Sequence, residues 1–580
     1  IRYAKRWRIE PSDSAAYRRG ELVRPVKQLV FYIDSLMPVK WNPYIKAGAE
    51  SWNKAFEKIG FKDVICVKEF PKNDTLFNAN SFDCMTIRYS ASWLNSAQTT
   101  IHSDTRTGEI LNASILINAN MISVQYADRI GATVAIDPRV RTTVFPQEIQ
   151  GELIQAAIAQ AVGTGLGLTM NWGASCAYPV DSLRSASFTQ KYGLASSVMG
   201  GVIINDVATE EDVRNGVCLV NAKPGPYDEL VIKYLYQPIY ASSLQEEKET
   251  LDSWIREHTG DPYYAYIRNQ SRFDSDPRNS RGSLGDDHLK SFDYMLPNVR
   301  KGFENYYSWF AKEDRDFLMR RRVHSALSER LSGRIYAILS YIGGIYLNDI
   351  REKDAIPSYS MVDREKQKAA LSKALELAKN LDWVDDTAHL NEFEISDKKA
   401  DRLRLDIFNG IFGRLPYVEV CTERFPGAAY TASEYLDDIY GIVWEGVLKH
   451  RPLENFERAL QTAFLESIIS TSTATAPIGS FKASKTGFAA TGKPEINLAA
   501  LRNGGKVDMK MYSLQNAEEV AGFSSIPPIY TNQTKIAAYY FDLLMRTKDM
   551  LKKAISTAPE ADRSHYDLLI YRINKATEIE

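Results

Sequence analysis

The chain has 580 residues and a formal net charge of −2, with 44% hydrophobic and 25% charged residues. That length suits several domains, and the near balance of charge excludes the one-sign field that gathers nucleic acid or an anionic membrane. No stretch reaches the roughly 18–20 apolar residues that span a bilayer.

In chain order, residues 1 to about 135 alternate strand and helix signals. Gln28 to Ile33 is rich in β-formers. Asn42-Pro43 supplies a cap and a first-turn proline for a helix whose apolar face is Ile45, Gly48, Trp52, Ala55, Phe56 and Ile59, closed by Gly60. Val64 to Val67, Met85 to Tyr89 and Glu109 to Ile117 read as strands, the last behind a Thr107-Gly108 turn. Pro146 to Val162 reads as a helix, with Gly163, Gly165 and Gly167 ending it or tightening its packing. Residues 171–240 read as loop-rich. Beyond about 241 the pattern is helical: Met361 to Leu381, Tyr430 to His450, Pro452 to Ser470, Lys535 to Thr557 and Pro559 to Thr577. Ile335 to Leu347 is the longest apolar run, and despite Gly343-Gly344 it reads as a buried helix. Thr471 to Lys493 is longer than an ordinary connection, so it reads as mobile or functional.

Few residues suggest chemistry by spacing alone. The five cysteines show no CxxC pair and are odd in number, which implies neither a structural zinc site nor a disulfide framework. None of the seven histidines pairs at i,i+3 or i,i+4, the spacing that aims two imidazoles at one ion. Gly163-Thr-Gly-Leu-Gly167 follows a helix and lacks the lysine of a phosphate loop. Asp286-Asp287-His288 suits a helix cap better than a metal, Arg320-Arg321-Arg322 reads as a solvated helix face, and His102 reads as a surface histidine near the strand that follows it.

Several blocks nevertheless fall in a familiar order. They are Arg6-Trp7-Arg8-Ile9-Glu10-Pro11, Pro25 to Asp34, Trp41 to Ile45, Asp104 to Asn112, Gln160 to Asn171, Ala177 to Arg184, Pro226-Tyr-Asp228, Leu284 to Asp287 and Tyr341 to Tyr346. Together they resemble large zinc-dependent metallopeptidases of Bacteroides-group bacteria, whose motif resembles the metzincin pattern H-E-x-G-H-x-x-G-x-x-H-N with a later Met-turn. Two imidazoles from one helix face and a third after a glycine turn hold zinc in such a motif, and the glutamate handles the proton of the bound water. The resemblance implies an α+β fold. A metzincin-like domain with a mixed sheet and an active-site helix occupies 1–240. A helical region follows at 241–400, and a C-terminal helical region at 401–580.

In that register the histidine positions are Gln160, Thr164 and Met170, and the glutamate position is Ala161. The Met-turn methionine is Met199, followed by Gly200-Gly201. The replacements lead to the expectation of an inactive homologue and not an enzyme, with no catalytic residue, metal or cofactor. The strand residues Glu109, Ile110, Leu111, Asn112 and Ala113 are expected to form the cleft edge that holds a peptide or protein segment. The resemblance further implies a binding or scaffold subunit in a cell-envelope, outer-membrane complex, beside a TonB-dependent transporter and its surface lipoprotein, with further N-terminal domains outside this sequence. The alternative is an active zinc endopeptidase with a displaced metal site.

Overall fold

The computed structural model describes residues 4–471 and 533–577, except 72, 95–96, 268–274, 280–282, 349, 351–353, 355 and 386–398. The segment singled out from Thr471 to Lys493 lies, past Thr471, outside the described residues. The chain divides into two compact units, with the change at Phe464/Leu465. Neither 240 nor 400, the boundaries expected from sequence, separates them.

The larger unit opens on a five-stranded mixed sheet. Its strands are β1 (Leu29–Ile33), β2 (Ile65–Glu69), β3 (Met85–Ser90), β4 (Ala97–Ser103) and β5 (Ile110–Asn118), in the order β2-β1-β3-β5-β4. All pairings are parallel except β4 against β5. This corrects the edge assigned to Glu109 through Ala113. Ile115 pairs with Ile87 on one side and with Thr99 on the other, so β5 is an inner strand. The turn at Asp104–Gly108, where Gly108 N donates to Asp104 O at 2.8 Å, folds β4 back along β5 and takes the edge.

One face of the sheet is apolar, because alternate residues of a strand point the same way. Phe31, Ile87, Ala113, Ile115 and Ile117 are each at most 1% exposed. They form one core with α1 (Asn42–Glu50) and α3 (Gln147–Gly165) through Ile45, Trp52, Ile154, Ile158 and Val162. Between those helices in sequence, α2 (Ala119–Thr133) leaves the end of β5. Each fully buried Ile or Phe contributes about 1.5–3 kcal/mol.

The helical part continues from this core without a break. Helix α4 (Pro226–Tyr236) joins the sheet core through Ile232, Leu235 and Tyr236. Helices α5 (His288–Phe310) and α6 (Leu318–Leu339) pack together, and α6 also packs on α2. On α6 lie α7 (Arg364–Lys379) and α8 (Lys399–Gly413). Helix α7 buries the stripe Leu371, Ala374, Leu375 and Ala378, and Asp363 caps it by accepting from Glu365 N and Lys366 N. Asp287 caps α5 in the same manner. The smaller unit includes α9 (Gln533–Ala554) packed against α10 (Glu560–Thr577). Among the described residues, no helix is long and apolar enough to cross a membrane.

Two local expectations change. The run Ile335–Leu347 is not one helix: it turns at Gly343, and Ile345–Leu347 pairs antiparallel with Tyr359–Met361. Arg320 is not solvated. It is 5% exposed, donates to Asp314 and lies over the rings of Tyr307 and Phe317.

A buried ionic cluster pins α6 to the loop after the Met-turn. Asp206 accepts from Arg330 Nε at 2.6 Å and from Arg334 Nε at 2.8 Å, with Asp206 and Arg334 buried and Arg330 mostly so. Burial pushes the Asp206 carboxyl up, but the two guanidiniums outweigh it and hold it below the usual range. Asp206→Asn therefore leaves buried positive charge uncompensated, and is expected to cost about 3–5 kcal/mol in denaturant unfolding. A loss below 1 kcal/mol contradicts this role.

His288 is also enclosed. Its Nε2 donates to Pro277 O at 2.9 Å and its ring stacks on Tyr341. Burial lowers its pKa to about 4 from 6.5. The unfolded chain thus binds the proton first. This stability is present above pH 6.5 and is lost as pH falls toward 4, by about 3 kcal/mol in all. Stability curves of wild type and His288→Gln at pH 7.5 and 4.5 check it: the wild type should lose more on acidification.

Candidate functional site

Helix α3 carries Gln160 and Thr164 one helical turn apart, next to Ala161 and Gly165, which meet β4. Thr164 Oγ1 donates to Gln160 O at 3.3 Å, the ordinary back-bond of a helical threonine. The chain then leaves the helix through Gly167 and returns Met170 to the same spot. Gln160 Nε2 lies 3.1 Å from Met170 Sδ and donates to it. Three of the four positions singled out from sequence are therefore side by side and half-buried. Ala161 lies apart from them in exposure, at 5%, and its carbonyl accepts from Thr99 Oγ1 of β4 at 2.9 Å.

Two glycines make this geometry. A Cβ on Gly163 would lie 2.5 Å from Trp52 Cζ2 and 2.6 Å from Met199 Sδ. Helix α3 thus rests directly on the Met-turn and on α1's neighbouring indole. Gly167 has φ +92°, and a Cβ there would meet Lys5 O at 2.1 Å. The segment around Arg6 occupies that place. Trp7 Nε1 donates to Gly165 O at 2.9 Å, and Tyr236 Oη of α4 donates to Leu166 O at 2.5 Å.

The Met-turn is fixed from behind. Asp228, at the start of α4, accepts from Ser197 Oγ at 2.5 Å and from Val198 N and Gly225 N at 2.9 Å each. Burial pushes its carboxyl up to about 7 against these three donors. Asn171 N donates to Met199 O, while the Asn171 side chain holds the segment 265–267, donating to Ala265 O and accepting from Ile267 N. The sequence blocks containing Asn171 and Asp228 thus have a physical purpose. Asn171 was visible only as a matched letter, and the carboxyl of Asp228 gave no pattern signal of its own.

The fold family implies zinc, so the donor set is the relevant test. An amide, a hydroxyl and a thioether are neutral and weak where protein zinc sites use imidazole, thiolate or carboxylate. The amide of Gln160 is already engaged with Met170 Sδ. Among the described residues no group of three His, Cys, Asp or Glu converges elsewhere. The residues at these four positions do not fit a zinc ion. Histidine 102, one residue from the end of β4, lies on the opposite face of the sheet near Phe82, not beside α3.

Because the ends of Gln160 and Met170 touch, the combined variant Gln160→His, Ala161→Glu, Thr164→His and Met170→His should bind one zinc ion per chain. Metal analysis after dialysis checks this. A folded variant that retains no zinc would show that the backbone, as well as the donors, has moved away from a metal site.

A family model described as Met-zincin matches residues 142–451, more than half of the chain. No curated protein and no solved structure matches it. The match overturns the expectation that the chain is not an enzyme. Its description is that of a zinc metallopeptidase class, and neither the match nor the fold demonstrates inactivity. What the geometry establishes is narrower, namely the chemistry of the four side chains. With its mixed sheet, central helix and Met-turn in one core, the chain belongs to the Met-zincin family.

Proposed function

We propose that the metallopeptidase-like domain holds an extended peptide or protein segment along the outer edge of β4, beside α3. The observation that carries this is the position of β4. It is the last strand of the sheet, and among the described residues no strand pairs with its outer side. Alternate N–H and C=O groups of such an edge point outward, and an added strand satisfies them without any metal. Leading from that edge to α3, Thr99 is bonded to Ala161 O, and Gln160, Thr164 and Met170 supply a floor that is part polar and part apolar. The floor can accept side chains of an extended segment, whose residues alternate toward and away from it.

The setting that the sequence resemblance implies belongs to the same proposal: an envelope assembly near a TonB-dependent transporter. Fractionation of the native membrane and identification of co-purifying proteins test it. Recovery in a partner-free cytoplasmic fraction would refute that setting.

For the site itself, the purified chain is presented with a mixed peptide library, and retained peptides are identified. Amide exchange is then followed with a retained peptide bound. Alternate amides between 97 and 103 should slow, by about tenfold or more. Protection that leaves β4 untouched, or the absence of any retained peptide, counts against the proposal. Cleavage is followed in the same samples with and without added zinc, because family membership makes turnover an expectation separate from pairing.

A further inference from the structure

The face of the sheet turned away from α3 has an unusual composition. Where the α3 side of β3 and β5 is apolar, this side is polar and partly covered. Thr86 is 2% exposed and Asn112 5%. The strand register sets Thr100 beside Ser114, and His102 beside Asn112. The connection between β2 and β3 folds across them. Asn112 Nδ2 donates to Phe82 O at 2.7 Å and to Cys84 O at 3.2 Å. Arg88 Nη2 donates to Ala79 O at 2.6 Å and to Asn80 Oδ1 at 2.8 Å. Between these residues and the strands lies an open cleft of about 360 Å³, which is the size that takes a small metabolite.

Polar groups covered in this way are costly unless each finds a partner. Arg88 and His102 line the cavity, and no Asp or Glu does. Arg88 Nε donates to Thr86 Oγ1 at 3.2 Å. Among the described residues no carboxylate pairs with Arg88, so its charge has no counter-ion and Nη1 is left for another acceptor. Thr100 and the exposed His102 also line the space. At the mouth, the ring of Phe82 is 54% exposed. A half-buried guanidinium with neighbouring hydroxyl donors and no acid is the chemistry that recognises an oxyanion.

We propose that this cavity binds a small oxyanion ligand, a carboxylate or a phosphate ester, anchored on Arg88, with its body against Phe82. The site is independent of the peptide edge, since alternate residues of the same strands serve the two faces. Carboxylate and phosphate share the donor set, and the test separates them.

Inorganic phosphate and acetate are titrated separately into the full chain at constant ionic strength, followed by amide chemical shifts or calorimetry. At least one should bind saturably, with shifts centred on residues 80–88 and 100–114. The tighter anion identifies the class. Arg88→Met should weaken it by about tenfold or more, as expected when a charge-assisted hydrogen bond is lost. Since Arg88 also holds the cover, Thr100→Val and His102→Ala are measured beside it, with thermal unfolding as the control for folding. Each should weaken binding by about threefold or more. Saturable binding of neither anion overturns the proposal. So does affinity unchanged in all folded variants.

Discussion

Helix, sheet and Met-turn meet where the backbone of α3 passes over Trp52 and Met199 at Gly163. There is no room for a single methyl group at that contact. Interiors packed this closely transmit displacement instead of absorbing it. The distance between α3 and the Met-turn fixes where Gln160 and Thr164 stand, and the return of Met170 depends on the same contact through Asn171 N and Met199 O. Met199 therefore has a reason to be present that does not involve an ion. It fills the gap that Gly163 leaves.

Around that junction the protein sets two clusters of buried charge. Asp206 is shared by two arginines of α6, and Arg129 of α2 lies between Asp137 and Glu152. Both clusters bind the helical region to the loops and helix of the site. Removing one member of such a cluster costs more than removing the whole, because the remaining charge stays buried. Asp228 differs. It is a lone carboxyl facing only hydroxyl and amide donors, which suits a turn that has to be held in shape without a cation nearby.

Much of this was legible in the sequence, for identifiable reasons. The core helix α3 and strands β1, β3 and β5 carry apolar side chains at regular spacing, and regular spacing survives without an alignment. The α7 stripe from Leu371 to Ala378 was readable in the same way. Strand β4 was not. Ala97-Gln-Thr-Thr-Ile-His-Ser lies half-exposed along nearly its whole length, so it has no alternation to detect, and the edge was assigned one strand too far in. Spacing alone makes Gly343 tolerable inside a helix, whereas its positive φ turns the chain into a short strand. Arg320 showed that three adjacent arginines need not share an environment. The four site positions could be located because the glycines and Asn171 fixed the register. What those side chains touch, including the bond between Gln160 and Met170, is tertiary and had no sequence signal.

The bond from Trp7 to Gly165 and that from Arg6 Nη1 to Leu235 O span 158 and 229 residues of chain. Contacts of such range cannot form until synthesis has gone well past them. At about 5–20 residues per second, Trp7 leaves the ribosome roughly 10–50 seconds before Leu235 does. Gly165, which accepts from the Trp7 indole, follows it by 158 residues, and until it emerges that indole has no native partner. The sheet can begin to assemble from β1 through β5, but the end of α3 is not capped until α4 arrives. The order of synthesis thus leaves the segment at Arg6 and Trp7 waiting for the two helix ends that it will hold, first that of α3 and then that of α4.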